Sequence, residues 1–239
     1  KLMYIDKVVG FEGNEYTAFG RALHELCEHA VVGNLPEDDY DDYFDMKFLQ
    51  ELEALKGKIE FRPDLVSDMR DQAKVIAPQI LPGLDKYFED YEVFSVEEQL
   101  YESIPDYEGK PYNFKGFIDL ILQTADGKYH ILDWKTCSWG WDSRKKADKM
   151  IVYQLIFYKH YLALKYDIDP KNIETHFALL KRTAKKNKVE IFRVTSGKKR
   201  TENALKMLKD ALYYINRKFA IKNRLSCKYC DFYKTEHCT

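Results

Sequence analysis

Apolar positions along the chain change their period more than once. Residues 17–32 (TAFGRALHELCEHAVV) are spaced as one face of a helix, with Thr17 placed to cap its start. A second, acidic helix is predicted over 37–55. A third helical stretch covers 64–90 and is broken near Pro78 and Pro82, because proline removes a donor and clashes with the preceding turn. From residue 92 the pattern shifts to strands. Segments 92–102, 114–123 and 128–136 are β-branched and aromatic, with turn residues between them, and Asp126-Gly127 is a hairpin signal. A long helix comes next, over 144–165. Strands over 173–182 and 188–194 then flank the polar tip AKKNK, and a last helix over 199–221 leads to a cysteine-bearing coil from Leu225.

This order predicts an α/β fold, a central mixed β-sheet flanked by helices with a C-terminal cysteine-bearing coil. The three-strand meander pairs antiparallel, and the long helix lets the chain cross to a parallel neighbour. At 239 residues and 28.3 kDa the chain suits a single domain. Its parts are an N-terminal helical region (1–91), a core sheet with its helix (92–195) and a C-terminal helix with the cysteine segment (196–239). A composition 45% hydrophobic and 32% charged excludes wholesale disorder. No run approaches the roughly 18 apolar residues of a membrane span, so no membrane partner is expected.

A net charge of −1 hides an asymmetry. Residues 37–71 hold 12 acidic and 5 basic side chains, and residues 181–224 hold 15 basic and 3 acidic. The second stretch is dense enough to neutralise phosphates, although a solvated helix face is the commoner fate of such runs. Five cysteines, three of them clustered at the end, read as an intracellular protein with a metal or cluster site rather than a disulfide framework. Cys27 and Cys137 read as core thiols.

The chemistry concentrates in FKGFIDLIL and the following KYHILDWKT. Asp133 and Lys135 are two apart on a strand and share a face, while Leu132 and Trp134 take the other. Asp119 lies on the preceding strand across the Asp126-Gly127 turn. Two carboxylates and one ammonium brought together suit phosphodiester hydrolysis. Carboxylates hold a hard divalent cation, which activates a water and offsets charge on the phosphate. The lysine can orient or deprotonate that water, or stabilise the developing charge. An ordinary buried ion pair is the alternative, but charges on apolar strands are costly unless paired. His24, four residues after Gly20 on the first helix, could reach the same cation. Glu98 is expected to add a carboxylate from the strand before Asp119, with Glu97 pointing to the opposite face. Gln154 and Tyr158 share a helix face and could position a phosphate.

GRALH, GFIDLIL, ILDWKT and QLIFY, in that order, resemble the successive motifs of the RecB-type branch of the PD-(D/E)XK nuclease superfamily. CKYCDFYKTEHC resembles the iron–sulfur subset of that branch, which includes AddB-type nuclease domains, the CRISPR adaptation exonucleases and exonuclease V. The resemblance implies a restriction-endonuclease-like fold. It also implies Mg²⁺ or Mn²⁺ held by His24, Asp119, Asp133 and the backbone carbonyl of Trp134, with Lys135 as the catalytic lysine. Gln154 and Tyr158 match its Q-x3-Y motif, and Glu98 a loosely defined acidic position. Cys227, Cys230 and Cys238 would be three ligands of a [4Fe–4S] cluster. The fourth would lie upstream of Lys1, because KLMYIDKV resembles the stretch just after that cysteine in the family. Zinc, completed by His237, is the alternative.

The implied activity is metal-dependent hydrolysis of DNA, acting on single strands or ends, alone or with a helicase, recombination or CRISPR adaptation partner. Trp139 and Trp141 would be placed to stack bases. The rival readings are a non-catalytic DNA-end binding module, an endonuclease of the same superfamily, and a zinc protein using the fold as scaffold.

Overall fold

The computed structural model describes residues 11–107, 109–221 and 230–238, together with Val8 and Cys227. Its first helix, α1 (Glu15–Val31), starts before the hydrophobic pattern does. Asn14 is the cap: its side chain accepts from Tyr16 N (3.0 Å) and Thr17 N (3.1 Å). The Thr17 hydroxyl accepts from Asn14 N at 2.9 Å, so Thr17 is the return member of a capping box rather than the cap. Helices α2 (Tyr40–Glu53), α3 (Pro63–Ile76) and α4 (Ile80–Phe88) come next. Pro78 sits in the 3-10 turn between α3 and α4. Pro82 falls in the first turn of α4, where its missing N–H has no helical partner to lose, so only one break occurs.

The sheet contains β1 (Tyr91–Tyr107), β2 (Lys110–Thr124), β3 (Tyr129–Cys137), β4 (Ile173–Lys181) and β5 (Val189–Val194), in spatial order β1-β2-β3-β4-β5. All neighbours are antiparallel except β3 and β4, the expected mixed arrangement. β1 and β2 run well past their predicted ends as a long two-stranded ribbon. Gly127, at φ 78°, closes the β2–β3 turn by donating to Thr124 O at 2.8 Å. The helix predicted over 144–165 is two: α5 (Ser143–Lys146) and α6 (Lys149–Tyr166). Asp148 separates them by capping Met150 N at 2.9 Å. The last helix, α7, covers Lys198–Asn216.

The sheet is buried on both faces. Helices α1 to α4 cover one, where Phe19, Phe44 and Phe48 pack with Leu132 and Trp134. Helices α6 and α7 cover the other, where Tyr161 and Leu212 pack with Ile121, Ile131 and Phe177. Alternation along β3 therefore sends Leu132 and Trp134 toward α1, and Asp133 and Lys135 toward α6. No helix among the described residues is long and apolar enough to cross a membrane.

Candidate active site

The β2–β3 ladder stops at Leu120 and Leu132. Beyond that pair the Asp119 side chain replaces a ladder bond: its Oδ2 accepts from Trp134 N at 2.7 Å. This pins one carboxylate beside the next. Asp133 is almost fully buried, and Lys135 Nζ lies 2.5 Å from its Oδ2. His24, on α1, brings Nδ1 to 3.9 Å from Asp119 Oδ2. Gly20 allows α1 this approach, since a Cβ there would meet Thr136 Oγ1 on β3 at 3.2 Å. His24, Asp119, Asp133 and Lys135 thus converge from three elements.

Their electrostatics favour a cation. Burial, then the Asp133 carboxylate, pushes Asp119 up to about 7 against the pull of Trp134 N–H and Lys135. Burial also raises Asp133, opposed by Lys135. Burial and then Lys135 lower His24 to about 4, leaving a neutral imidazole at neutral pH, and its Nε2 is buried without a hydrogen-bond partner. Two repelling carboxylates and a neutral imidazole fit a hard divalent cation, which relieves the repulsion and takes oxygen and imidazole donors alike.

The structure does not bring Glu98 to this group. Its carboxylate accepts from Lys165 Nζ (2.6 Å), Tyr166 Oη (2.7 Å) and Ser95 Oγ (2.6 Å) at the far end of α6. Burial would raise its pKa, but those hydrogen bonds together hold it below the usual range. Glu97 comes to the site instead. The β1–β2 register sets it level with Asp119, and its backbone turns left-handed at φ 46°. Glu28, one helical turn after His24, meets it. Burial and then Glu97 push Glu28 up to about 8, with Asp119 adding to the effect. The i, i+4 stripe Gly20, His24, Glu28 was a usable signal for Glu28. The left-handed turn at Glu97 leaves no such trace. Glu97→Gln is therefore expected to weaken metal-dependent activity about 10-fold or more. Glu98→Gln should leave activity near wild type and cost about 1 kcal/mol of stability. Metal titrations of cleavage and urea unfolding of both variants check this, and a reversed pattern would restore Glu98 to the site.

On α6, Gln154 Nε2 donates to Tyr158 Oη at 3.0 Å. Tyr158 is buried against Gly116 of β2, where a Cβ would come within 2.8 Å of its ring. Burial raises its phenol, and Asp133 and Asp119 push it further. It packs with Ile121 and Ile131 on the α6 face of the sheet, the face to which Asp133 points.

A cleft of about 410 Å³ adjoins the end of β3, lined by Tyr16, Thr136, Ser138, Trp139, Lys145 and Arg182. Trp139 is 71% exposed at its rim. Trp141 turns inward, 5.1 Å from the Phe177 ring and 6.2 Å from Phe192, so of the two only Trp139 is free to stack. Part of the basic 181–224 stretch is already engaged. Lys181 pairs with Glu190 (3.0 Å), Arg193 with Glu174 (3.1 Å), and Arg182 lies over Tyr16 (4.7 Å). Lys222 and Arg224 lie outside the described residues.

Cys27 is buried and Cys137 half-buried. Cys227 is half-buried, Cys230 and Cys238 are exposed, and Cys230 N donates to Cys227 O at 3.0 Å. Among the described residues, one set of three candidate ligands has its atoms mutually within 4.8 Å, and it is His130, Glu174 and His176. The C-terminal segment does reach the start of the chain, where Phe11 N donates to Asp231 Oδ2 at 3.3 Å. The KLMYIDKV stretch, apart from Val8, and residues 228 and 229 of the cysteine motif lie outside the described residues.

A mixed sheet whose central strands part at two carboxylates, with a lysine two residues further on, is the frame of a metal-dependent nuclease. The chain belongs to the PD-(D/E)XK nuclease superfamily, whose model matches residues 1–235. Its structure is similar to a Eubacterium rectale protein provisionally named an exonuclease, with TM-score 0.57 and 13% identity over all of this chain and 80% of that one. It also aligns with the crystal structure of SSO0001 at TM-score 0.42 and 14% identity, over 97% of this chain and 89% of that one. At 13% identity, the likeness to the Eubacterium rectale protein speaks to the fold alone. No curated protein matches the sequence.

Proposed function

We propose that this chain is a Mg²⁺- or Mn²⁺-dependent deoxyribonuclease that degrades DNA from ends or as single strands. The observation that carries the proposal is the convergence of His24, Asp119, Asp133 and Lys135 where β2 and β3 part; a cleft bordered by Trp139, Lys145 and Arg182 opens further along, at the end of β3. His24, Asp119, Asp133 and the Trp134 carbonyl would hold the cation. When bound, it supplies an activated water and neutralises charge on the phosphate. Lys135 would orient the attacking water and stabilise the negative charge that develops as the water oxygen bonds to phosphorus and the P–O bond to the leaving strand breaks. Tyr158, held by Gln154, positions the scissile phosphate. Lys145 contacts a flanking phosphate, and Trp139 stacks a base, a mode that tolerates any sequence. Cys227, Cys230 and Cys238 enter through the family resemblance, as ligands of a [4Fe–4S] cluster tying the C-terminal segment to the start of the chain, where Phe11 already meets Asp231.

The test is digestion of DNA labelled at either end, single- and double-stranded, with Mg²⁺, Mn²⁺ or EDTA. Metal-dependent release of mononucleotides or short products from one end is expected, and EDTA abolishes it. Discrete internal fragments would make the chain an endonuclease. Binding without cleavage by folded protein would make it a DNA-end binding module.

A further inference from the structure

Away from the carboxylates, on the opposite face of β3, two histidines and a glutamate form a second group. His130 lies three residues before Asp133, about 10 Å along the strand at roughly 3.3 Å per residue. Glu174 and His176 face it from β4, because the parallel register sets His130 beside Glu174 and Leu132 beside His176. Both imidazoles are buried, under the rings of Tyr87 and Phe88 at the end of α4.

Three atoms point at one another: His130 Nδ1, His176 Nε2 and Glu174 Oε2. The two nitrogens are 3.2 Å apart, and each lies 4.0 Å from the carboxylate oxygen. A point equidistant from the three corners of that triangle lies about 2.2 Å from each, close to the ~2.0–2.2 Å of zinc bonds to imidazole and carboxylate. We propose that His130, Glu174 and His176 form a second metal site, distinct from the nuclease centre, that takes zinc or a similar late first-row divalent cation.

The surroundings prepare each ligand. Thr124 Oγ1 lies 3.0 Å from His130 Nε2. A proton on that nitrogen, donated to the hydroxyl, leaves Nδ1 free to ligate. Arg193 Nη2 holds Glu174 Oε1 at 3.1 Å and leaves Oε2 facing the imidazoles. Burial, then His130 and Arg193, lowers His176 to about 3, and burial also lowers His130, so protons compete weakly for either ring. Without metal, one ring nitrogen donates to the other. Ligation moves that proton to His176 Nδ1, which is buried without a partner. Two imidazoles and one carboxylate are a zinc donor set with a fourth position left for water. The bound ion would lock the start of β3 to β4 beneath α4, a structural role.

The test uses the whole chain, stripped of metal and ¹⁵N-labelled, titrated with Zn²⁺ while the histidine ring nitrogens are followed by NMR. The nuclease centre and the cysteines can also bind zinc, so the assigned His130 and His176 signals are the readout. Zinc is expected to shift His130 Nδ1 and His176 Nε2 together, with one equivalent bound there, and to raise the melting temperature. Glu174→Gln, which keeps the side-chain volume, should weaken that binding about 10-fold or more. Folded wild-type protein whose His130 and His176 signals stay unchanged at saturating Zn²⁺ would overturn the proposal. The nuclease reading is unaffected by either result.

Discussion

Lys135→Ala is expected to slow cleavage about 10²–10⁴-fold while DNA binding stays within a few-fold of wild type. The ammonium sits 2.5 Å from Asp133 and two residues along the same strand, with part of its surface open to solvent. It can therefore face both Asp133, the proposed metal ligand, and an incoming water. Removing it takes a positive competitor away from the cation, so metal affinity should hold or rise, and added Mg²⁺ should not rescue the rate. Lys135→Arg is expected to rescue little, because a planar guanidinium does not replace a compact ammonium on a short reach. Single-turnover cleavage at saturating metal, beside binding measured with Ca²⁺, separates the two effects. Retention of more than about a tenth of the activity would remove Lys135 from the chemistry.

Phe19→Ala should be the most damaging of these changes to stability, by about 3–5 kcal/mol. Phe19 is fully buried and packs edge-on against Phe44 and Phe48 of α2, at centroid distances of 5.4 and 6.1 Å. Alanine there loses the buried ring and leaves a cavity between α1 and α2 that neighbouring side chains fill only in part. For a chain of this size that loss lowers the melting temperature by about 10 °C. Because α1 also carries Gly20, His24 and Glu28, weaker metal binding should accompany the loss. Urea unfolding and thermal melts check the first claim, and a cost under about 1 kcal/mol would mean that α1 is not anchored through this ring.

Much of the fold was legible because its signals are local. Helical spacing, the switch to alternating strands and the Asp126-Gly127 turn each depend on a few neighbouring residues. Element boundaries are less legible, because there one side chain decides. Asn14 rather than Thr17 caps α1, and Asp148 splits the crossover helix in two. Pairing Asp133 with Lys135 also needed only the two-residue period of a strand, and Gln154 with Tyr158 only the four-residue spacing of a helix.

The sequence by itself determined which elements form, in what order, and which side chains each presents on one face. Periodicity and short spacings carry that information. Only the tertiary structure decided which faces meet. His24 reaches Asp119 because α1 crosses β3 closely at Gly20. Glu97 rather than Glu98 joins the acidic group because one residue of β1 turns left-handed while Lys165 and Tyr166 claim its neighbour. His130 and His176, 46 residues apart, meet because the crossover through α6 sets β4 parallel to β3 in one particular register. The spacing of Gly20 and His24 let the first of these be expected; the others depend on packing between distant segments, and no local pattern of residues encodes them.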